Sequence, residues 1–369
     1  MQVICDKCQT RTNFQAQAYR CACGGAWEPL ESSQFDTRQI DKDKSSIWRY
    51  QALFGLPEMT EPMSLGAGWT PLLEADWQEA RLHLHFKLEY MAPTGSFKDR
   101  GTELEANYLK AMGVSQVVED SSGNAGASLA AYAARTGLQA AIYAPESASA
   151  AKLAQIRVFG AELRTIPGER IEATRAALRA AEAGAVYASH AYNPQYLLGQ
   201  QTFAWEIWEQ LGGAVPDAVV IPVGQGGLLM GAWLGFRRLL MAGLIERLPR
   251  LYAVQPRLLA PIAHSFARGD EEVTQASPQG KSLAEGLAIV QPVRGRRILQ
   301  ALRESGGAGL MVEEEQIRQA YQALARQGFF VEPSSAAAAA SLTQVQSLAG
   351  KSGRVVVALT GSGLKSTLL

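Results

Sequence analysis

A lysine close to residue 100 lies where its amine could act as a nucleophile. Residues 82–90 form an apolar stretch that predicts a strand, and Gly95 indicates a turn after it. Ser96 can cap a helix that is expected to continue past Glu103, which places Lys98 in the first helical turn. The positive end of the helix dipole favours the neutral amine there, the form that attacks an aldehyde. Taken alone, such a lysine is more often a solvated surface charge.

A first loop that could bind an anion has the sequence S-S-G-N-A-G, residues 121–126. It lies between a predicted strand over 116–120 and a predicted helix over 127–135. Backbone amides exposed at a helix start bind anions. For an isolated S-S-G-N, the favoured explanation is Asn124 as an ordinary helix cap and Gly123 as a turn residue.

A second loop has the sequence V-G-Q-G-G-L, residues 223–228, again between an expected strand and a helix. Closely spaced glycines allow backbone amides to converge on a phosphate group. The spacing is not the G-x-G-x-x-G of dinucleotide-binding loops, which disfavours a nicotinamide cofactor.

All four cysteines lie near the amino terminus, as Cys5 and Cys8 and then Cys21 and Cys23. Two short knuckles of this kind can close a tetrahedral zinc site, and a closed four-thiolate site is structural because no position is open to water. Zinc would also help so short a segment to fold. Two disulfides, or a ribbon that has lost its metal, are the alternatives.

The charge balance indicates a small-molecule partner. The chain has 369 residues, with 35 basic and 35 acidic residues and no formal net charge. This excludes the large positive field typical of proteins that bind nucleic acid or anionic membranes. The first residues lack a basic segment followed by an apolar run, and no stretch of about 18 apolar residues occurs. We therefore expect a cytoplasmic protein with no nucleic-acid or membrane partner.

Apolar, β-rich segments alternate with alanine-rich helical segments over most of the chain. Such alternation predicts an α/β fold with largely parallel sheets covered by helices, and the number of strands favours two sheets. The run of alanines at 336–340 predicts a tightly packed helix. Besides 82–90, the expected strands are 116–120, 140–144, 163–166, 186–189, 219–223, 251–254 and 355–359.

Residues 93–101, P-T-G-S-F-K-D-R-G, resemble the lysine motif of threonine synthases and their fold type II pyridoxal-phosphate relatives, which include serine and threonine dehydratases. The resemblance implies that Lys98 is catalytic and forms a Schiff base with pyridoxal 5'-phosphate. It also implies a tryptophan synthase β-like fold of two open, mostly parallel sheets, with a small amino-terminal cysteine ribbon, and a homodimer. The expected domains are the ribbon over 1–33, a larger cofactor-binding domain over 34–100 and 191–369, and a smaller mobile domain over 101–190.

The same resemblance implies roles for the two loops and for a carboxyl-terminal motif, T-G-S-G-L-K at 360–365. The segment E-P-S-S-A at 332–336 supports the match. Asn124 is expected to contact the pyridoxal 3-oxygen, and Thr360 to hydrogen-bond the pyridine nitrogen. The loop residues expected to bind the substrate α-carboxylate are Ser121, Ser122, Gly123 and Ala125. Those expected to hold the cofactor phosphate are Gly224, Gln225, Gly226 and Gly227.

Residues 193–202, N-P-Q-Y-L-L-G-Q-Q-T, resemble the synthase segment N-P-x-R-x-E-G-Q-K-T. Tyr196, Leu198 and Gln201 stand where that segment has arginine, glutamate and lysine. The expected reaction is conversion of O-phospho-L-homoserine to L-threonine and phosphate, although a phosphate dianion normally requires charged donors. A threonine or serine dehydratase, or a β-replacement enzyme, is the alternative enzyme. A non-catalytic protein that binds the cofactor, or one that regulates through its ribbon, is the alternative outside enzymes.

His190 ends the predicted strand over 186–189, at the sheet edge where α/β proteins bind ligands. We expect His190 and Tyr196 to contact the substrate. A protonated His190 could partly replace the missing arginine. A packed or capping histidine is the alternative.

Overall fold

The computed structural model describes residues 1–30, 35–56, 61–77, 80–148, 150–168, 170–350 and 353–365. The chain forms two compact units, which are described separately. The first unit contains Met1–Gly68 and Ala92–Gly199, and the second contains Trp69–Met91 and Gln200–Leu369. Among the described residues, no helix is both long enough and apolar enough to cross a membrane.

The strands, numbered in chain order, are β1 (Gln2–Cys5), β2 (Arg11–Asn13), β3 (Trp27–Pro29), β4 (Leu72–Trp77), β5 (Ala80–Lys87), β6 (Gln116–Glu119), β7 (Gln139–Pro145), β8 (Glu162–Ile166), β9 (Val186–Tyr187), β10 (Ala218–Pro222), β11 (Arg250–Pro256), β12 (Ala308–Val312) and β13 (Arg354–Ala358). The α-helices are α1 (Lys98–Ala111), α2 (Asn124–Thr136), α3 (Ala150–Val158), α4 (Arg170–Glu182), α5 (Pro194–Gln210), α6 (Gly227–Met241), α7 (Pro261–Arg268), α8 (Gly295–Glu304), α9 (Glu314–Arg326), α10 (Pro333–Ala340) and α11 (Leu342–Ala349).

The first unit contains a three-stranded antiparallel ribbon and a four-stranded parallel sheet. The ribbon has the strand order β2-β1-β3, and the larger sheet the order β8-β7-β6-β9. Strand β7 is almost fully buried because parallel strands covered by helices have no solvent-facing side. The ribbon packs on this unit through aromatic contacts: Phe14 lies beside Tyr108, and Tyr19 meets Tyr187 edge-on at a centroid distance of 5.2 Å.

The second unit contains a six-stranded sheet in the order β12-β11-β10-β13-β5-β4. All neighbouring strands are parallel except β4, which pairs antiparallel with β5 at one edge. Helix α10 contains the alanine run and is buried in the apolar core of this unit. Alanine side chains let its backbone approach the strands closely, as the sequence predicts.

The predicted α/β class with two sheets and an amino-terminal ribbon is confirmed. Two expected strands end earlier than predicted, and two strands of the second unit were missed. The strand expected over 82–90 ends at Lys87, because Glu89–Met91 form a 3-10 turn. The strand expected over 186–189 is only Val186–Tyr187, and strands β4 and β12 were not expected. The domain boundaries expected from the resemblance stay a prediction.

Candidate active site

Lys98 is the first residue of α1 and is partly buried. The cap residue before it is Phe97, which makes no side-chain cap hydrogen bond. The expectation that Ser96 caps this helix is therefore wrong: the helix begins one residue later, and Ser96 is fully buried in the turn. The Lys98 ammonium lies 4.7 Å from the centroid of the Phe97 ring.

Asp99 fixes the turn that presents Lys98. Its buried carboxylate accepts hydrogen bonds of 2.6 Å from the backbone N–H and the hydroxyl of Thr94, and another of 2.6 Å from the Ser128 hydroxyl in α2. A buried carboxylate needs such donors because it has lost its hydration. The bonds tie the turn, the start of α1 and helix α2 together.

The loop 121–125 leads from β6 into α2, as expected, but the helix starts at Asn124 rather than at Ala127. Ser121 Oγ accepts a hydrogen bond of 3.3 Å from Gly123 N, which closes the turn. A Cβ atom on Gly126 would lie only 1.9 Å from the Ser121 carbonyl oxygen. The glycine is therefore required for the tight return of the chain, and the loop amides are positioned at a helix start.

Glu119 and His190 form a buried pair at the same sheet edge. Their atoms Oε1 and Nδ1 are 2.6 Å apart, and their side chains are 2% and 11% exposed. Burial lowers the pKa of His190 well below its ordinary value, and the charge of Lys98 lowers it further. Burial and then Asp120 raise the pKa of Glu119 to about 8, while Lys98 acts against them. The lowered pKa of His190 disfavours the protonated form considered from the sequence, and the contact of His190 with substrate stays a prediction.

Tyr196 lies on α5 and is fully buried. Its ring is edge-on to that of His190, with centroids 6.2 Å apart. It also packs on Gly101 of α1, where a Cβ atom would lie 2.4 Å from Tyr196 Cδ2. The side chain that replaces the synthase arginine thus packs against α1 within the first unit.

The other two departures from the synthase segment are also buried. Leu198 is 3% exposed and lies in the first unit. Gln201 lies in the second unit, where its Oε1 accepts a hydrogen bond of 3.4 Å from Arg238 Nη1. A lysine at position 201 would place two cations together in a buried environment, so Arg238 is compatible with glutamine there.

The glycine loop of the second unit follows β10 and leads into α6. Gly226 has a φ of 84° and caps the helix, and a Cβ atom on it would lie 2.3 Å from Ile298 Cδ1. Gln225 Oε1 accepts a hydrogen bond of 3.1 Å from Val293 N, which fixes the loop. Backbone amides of glycines at a helix start can bind a phosphate, because no side chain blocks its approach.

Thr360 follows β13, the neighbour of β10, so it lies at the same sheet edge as the glycine loop. Its hydroxyl is 3.1 Å from that of Ser335 in α10. Ser335 Oγ also accepts a hydrogen bond of 2.8 Å from Gly361 N. The Ser335 hydroxyl can donate to Thr360 Oγ1 or to the Gly361 carbonyl, and in the first case the Thr360 proton is left for a ligand.

The four cysteines come together in the ribbon. The sulfur atoms of Cys5, Cys8, Cys21 and Cys23 all lie within 4.8 Å of one another, and none forms a disulfide. A Cβ atom on Gly25 would lie 2.5 Å from Cys5 Sγ. The ribbon therefore needs glycine there to close around the thiols.

Known proteins similar to this chain identify its family. The sequence model of the family described as pyridoxal-phosphate dependent enzyme matches residues 63–361. This chain belongs to that family. Members of this enzyme family that are threonine synthases resemble the chain over most of its length. The threonine synthase of Methanocaldococcus jannaschii is 33% identical over 374 residues, covering 98% of this chain and 92% of that protein. That of Synechocystis sp. is 35% identical over 325 residues, covering 86% and 82%.

Among solved structures, the L-serine ammonia-lyase of the fungus Rhizomucor miehei has a TM-score of 0.70. It is 23% identical and covers 79% of this chain and 93% of that chain, a likeness that establishes the fold alone. The expected threonine synthase family, fold type II architecture and lyase class are confirmed, and pyridoxal phosphate is the cofactor of the family. The roles of the individual site residues stay predictions.

Glu119 is the site residue that sequence reasoning missed. Two acidic residues, Glu119 and Asp120, end the predicted strand just before the S-S-G-N loop and were a visible signal. Its partner could not be found from spacing, because His190 lies 71 residues away in the chain and is brought close by the parallel pairing of β6 with β9.

Proposed function

We propose that this protein is a threonine synthase-type lyase that converts O-phospho-L-homoserine to L-threonine and phosphate. The similarity to the Methanocaldococcus jannaschii threonine synthase supports this most directly, because it covers 98% of the chain and so includes the ribbon. The amino-acid substrate is a small molecule. A homodimer in the cytoplasm is part of the proposal.

Each unit, taken by itself, contains donors that suit part of the cofactor. Lys98 supplies an amine for its aldehyde, and the amides of Gly224–Gly227 suit its phosphate. The Thr360 hydroxyl, which lies 3.1 Å from that of Ser335, suits the pyridine nitrogen, and Asn124 suits the 3-oxygen. A neutral hydroxyl does not hold the ring protonated as a carboxylate would. This favours elimination and replacement chemistry.

When bound, the cofactor withdraws electrons from the substrate and so acidifies its α-carbon. The Lys98 amine would take a proton from the α-carbon and then one from the β-carbon as phosphate leaves the γ-carbon. It would return protons to the γ-carbon and, after water adds its hydroxyl at the β-carbon, to the α-carbon. The amides of the 121–125 loop bind the substrate carboxylate and orient the α-carbon bond that breaks.

The experiment that tests this proposal measures phosphate release and 2-oxoacid formation from O-phospho-L-homoserine, L-threonine and L-serine in parallel. A synthase should form threonine and phosphate in equal amounts from O-phospho-L-homoserine, with little 2-oxoacid. Release of 2-oxoacid from threonine or serine, with no phosphate released from O-phospho-L-homoserine, would show a dehydratase instead.

A dehydratase acting on threonine or serine is the second candidate. The observation that favours it is the absence of the synthase charges at Tyr196, Leu198 and Gln201, together with the lowered pKa of His190. A hydroxyl leaving group carries no charge and needs no cation.

We propose further that the ribbon cysteines hold one structural zinc ion. Four thiolates at a zinc–sulfur distance of about 2.3 Å have sulfur atoms roughly 3.8 Å apart in a tetrahedron. The observed limit of 4.8 Å and the free thiols support this arrangement. Elemental analysis of the purified protein tests it.

A further inference from the structure

The Glu119–His190 pair lies at the edge of the first unit's sheet that carries the 121–125 loop. Glu119 is the last residue of β6, and His190 follows β9, which pairs with β6 in parallel. The hydrogen bond of 2.6 Å between Oε1 and Nδ1 joins two side chains that are almost entirely buried. Among the described residues, the His190 ring is hydrogen-bonded through Nδ1 alone, so Nε2 is available to a ligand.

We propose that Glu119 is a positioning residue: its protonated carboxyl donates to Nδ1 of His190 and so holds His190 as an uncharged imidazole that presents Nε2–H to a substrate oxygen. The proton on Glu119 fixes the tautomer, since a ring nitrogen that accepts leaves the other as the donor. The contact of His190 with substrate rests on the proposed function, whereas the protonation of the Glu119–His190 pair does not.

Burial decides between a neutral pair and an ion pair. Moving the proton from Glu119 to His190 would create two charges where both side chains have lost their hydration. The pKa directions agree with this, because burial raises the pKa of Glu119 to about 8 and lowers that of His190. A carboxyl with that pKa is mostly protonated at neutral pH.

The surrounding charges do not reverse the preference. Lys98 on α1 and Arg170 on α4 favour a charged Glu119 but disfavour a charged His190, and Asp120 has the opposite effects. Glu105 on α1 is itself buried, and the charge of Glu119 raises its pKa. A neutral Glu119 removes this repulsion between carboxylates.

His190 is thus a neutral donor beside Tyr196. Tyr196 is the residue that stands where the synthase segment has its arginine. One neutral hydrogen bond contributes roughly 0.5–1.5 kcal/mol, which corresponds to at most about a tenfold change in rate or affinity. His190 therefore recognises an oxygen by hydrogen bonding and is not a charge that attracts a dianion.

Nitrogen-15 NMR of the cofactor-loaded enzyme without substrate tests the pair directly. The chain has four histidines, and the His190→Asn variant identifies the His190 signals. We expect His190 to stay in the neutral tautomer with the proton on Nε2 between about pH 6 and pH 7.5. An imidazolium, or a neutral ring with the proton on Nδ1, in this range would overturn the proposal.

Two substitutions separate the neutral pair from an ion pair. Glu119→Leu removes the donor, and we expect mixed tautomers and a roughly tenfold loss of kcat/KM on the best substrate. Glu119→Gln supplies an amide donor, so it should restore the Nε2–H tautomer and most of the lost activity. If Gln restores neither, Glu119 acts as a charge and the proposal is wrong.

The matched control is Glu74→Gln beside His85, a pair 3.9 Å apart in which Glu74 is 91% exposed. This change should leave the His190 spectrum and kcat/KM unaltered. The two proposals fail separately. If the His190 spectrum is as expected but O-phospho-L-homoserine is not turned over, only the proposed reaction is rejected. Turnover with a charged His190 rejects only the inference.

Discussion

The ring of Tyr196 occupies the space in which a Cβ atom on Gly101 would lie, 2.4 Å from Tyr196 Cδ2. Helices α5 and α1 approach closely here, since a Cβ atom on Gly199 would likewise lie 2.2 Å from the Arg100 carbonyl oxygen. The position that carries arginine in the synthase segment is thus part of the helix packing of the first unit.

Gly101→Ala should destabilise the protein by about 1–3 kcal/mol, because the added methyl group overlaps the Tyr196 ring. Urea denaturation measures the loss. In the control double variant Gly101→Ala with Tyr196→Ala, the alanine at 101 should cost much less, because the ring is gone. Equal costs in the two backgrounds would show that the ring is not the obstacle.

Tyr196→Arg should raise kcat/KM for O-phospho-L-homoserine relative to L-threonine and L-serine, because it supplies the cation that a phosphate dianion favours. The control is Tyr196→Met, which is flexible but uncharged and should not shift the ratio. An efficient wild-type reaction with O-phospho-L-homoserine that the arginine does not improve would show that the tyrosine already suffices.

Lys87 and Glu206 form a fully buried ion pair in the second unit, 2.8 Å apart. Lys87 Nζ also donates to the Thr70 carbonyl and to Gln210 Oε1. Lys87→Met should cost about 3–5 kcal/mol by leaving a buried carboxylate without its cation. The double variant Lys87→Met with Glu206→Leu should recover part of this in thermal unfolding. A double variant no more stable than Lys87→Met would argue against the charge explanation.

Removal of zinc should loosen the ribbon and lower the melting temperature of the loaded enzyme. The expected content is one zinc ion per chain, and Cys5→Ser with Cys8→Ser should abolish it, because the remaining two thiolates cannot close the site. All four cysteines lie in the ribbon, so no other thiol contributes to the measured zinc content. A metal-free protein with an unchanged melting temperature after chelation would reject the zinc site.

The sequence predicted those parts of the fold that depend on local pattern. Apolar strands such as β7 and β10 lie within one residue of the expected positions. Strand β4 was missed because it is an antiparallel edge strand in which only Trp77 is buried, so it lacks the continuous apolar run of a buried strand. Strand β12 is short, lies at the opposite edge and contains Gly309.

The sequence alone indicated some candidate site residues and not others. Lys98, Asn124 and Thr360 stand in contiguous motifs, so their types and spacing were visible. The Ser335 contact with Thr360 and the Glu119 contact with His190 join residues 25 and 71 positions apart. The charge of His190 depends on burial, which a sequence pattern does not give.

The central claim is that Lys98 holds pyridoxal phosphate covalently, and borohydride reduction of the purified, cofactor-loaded protein tests it most directly. Reduction makes the bond to the lysine permanent, and peptide mass spectrometry then locates the adduct. We predict one pyridoxyl phosphate group on Lys98, and no adduct in a folded, inactive Lys98→Ala variant. An adduct on another lysine, or substantial activity in Lys98→Ala, would contradict the account.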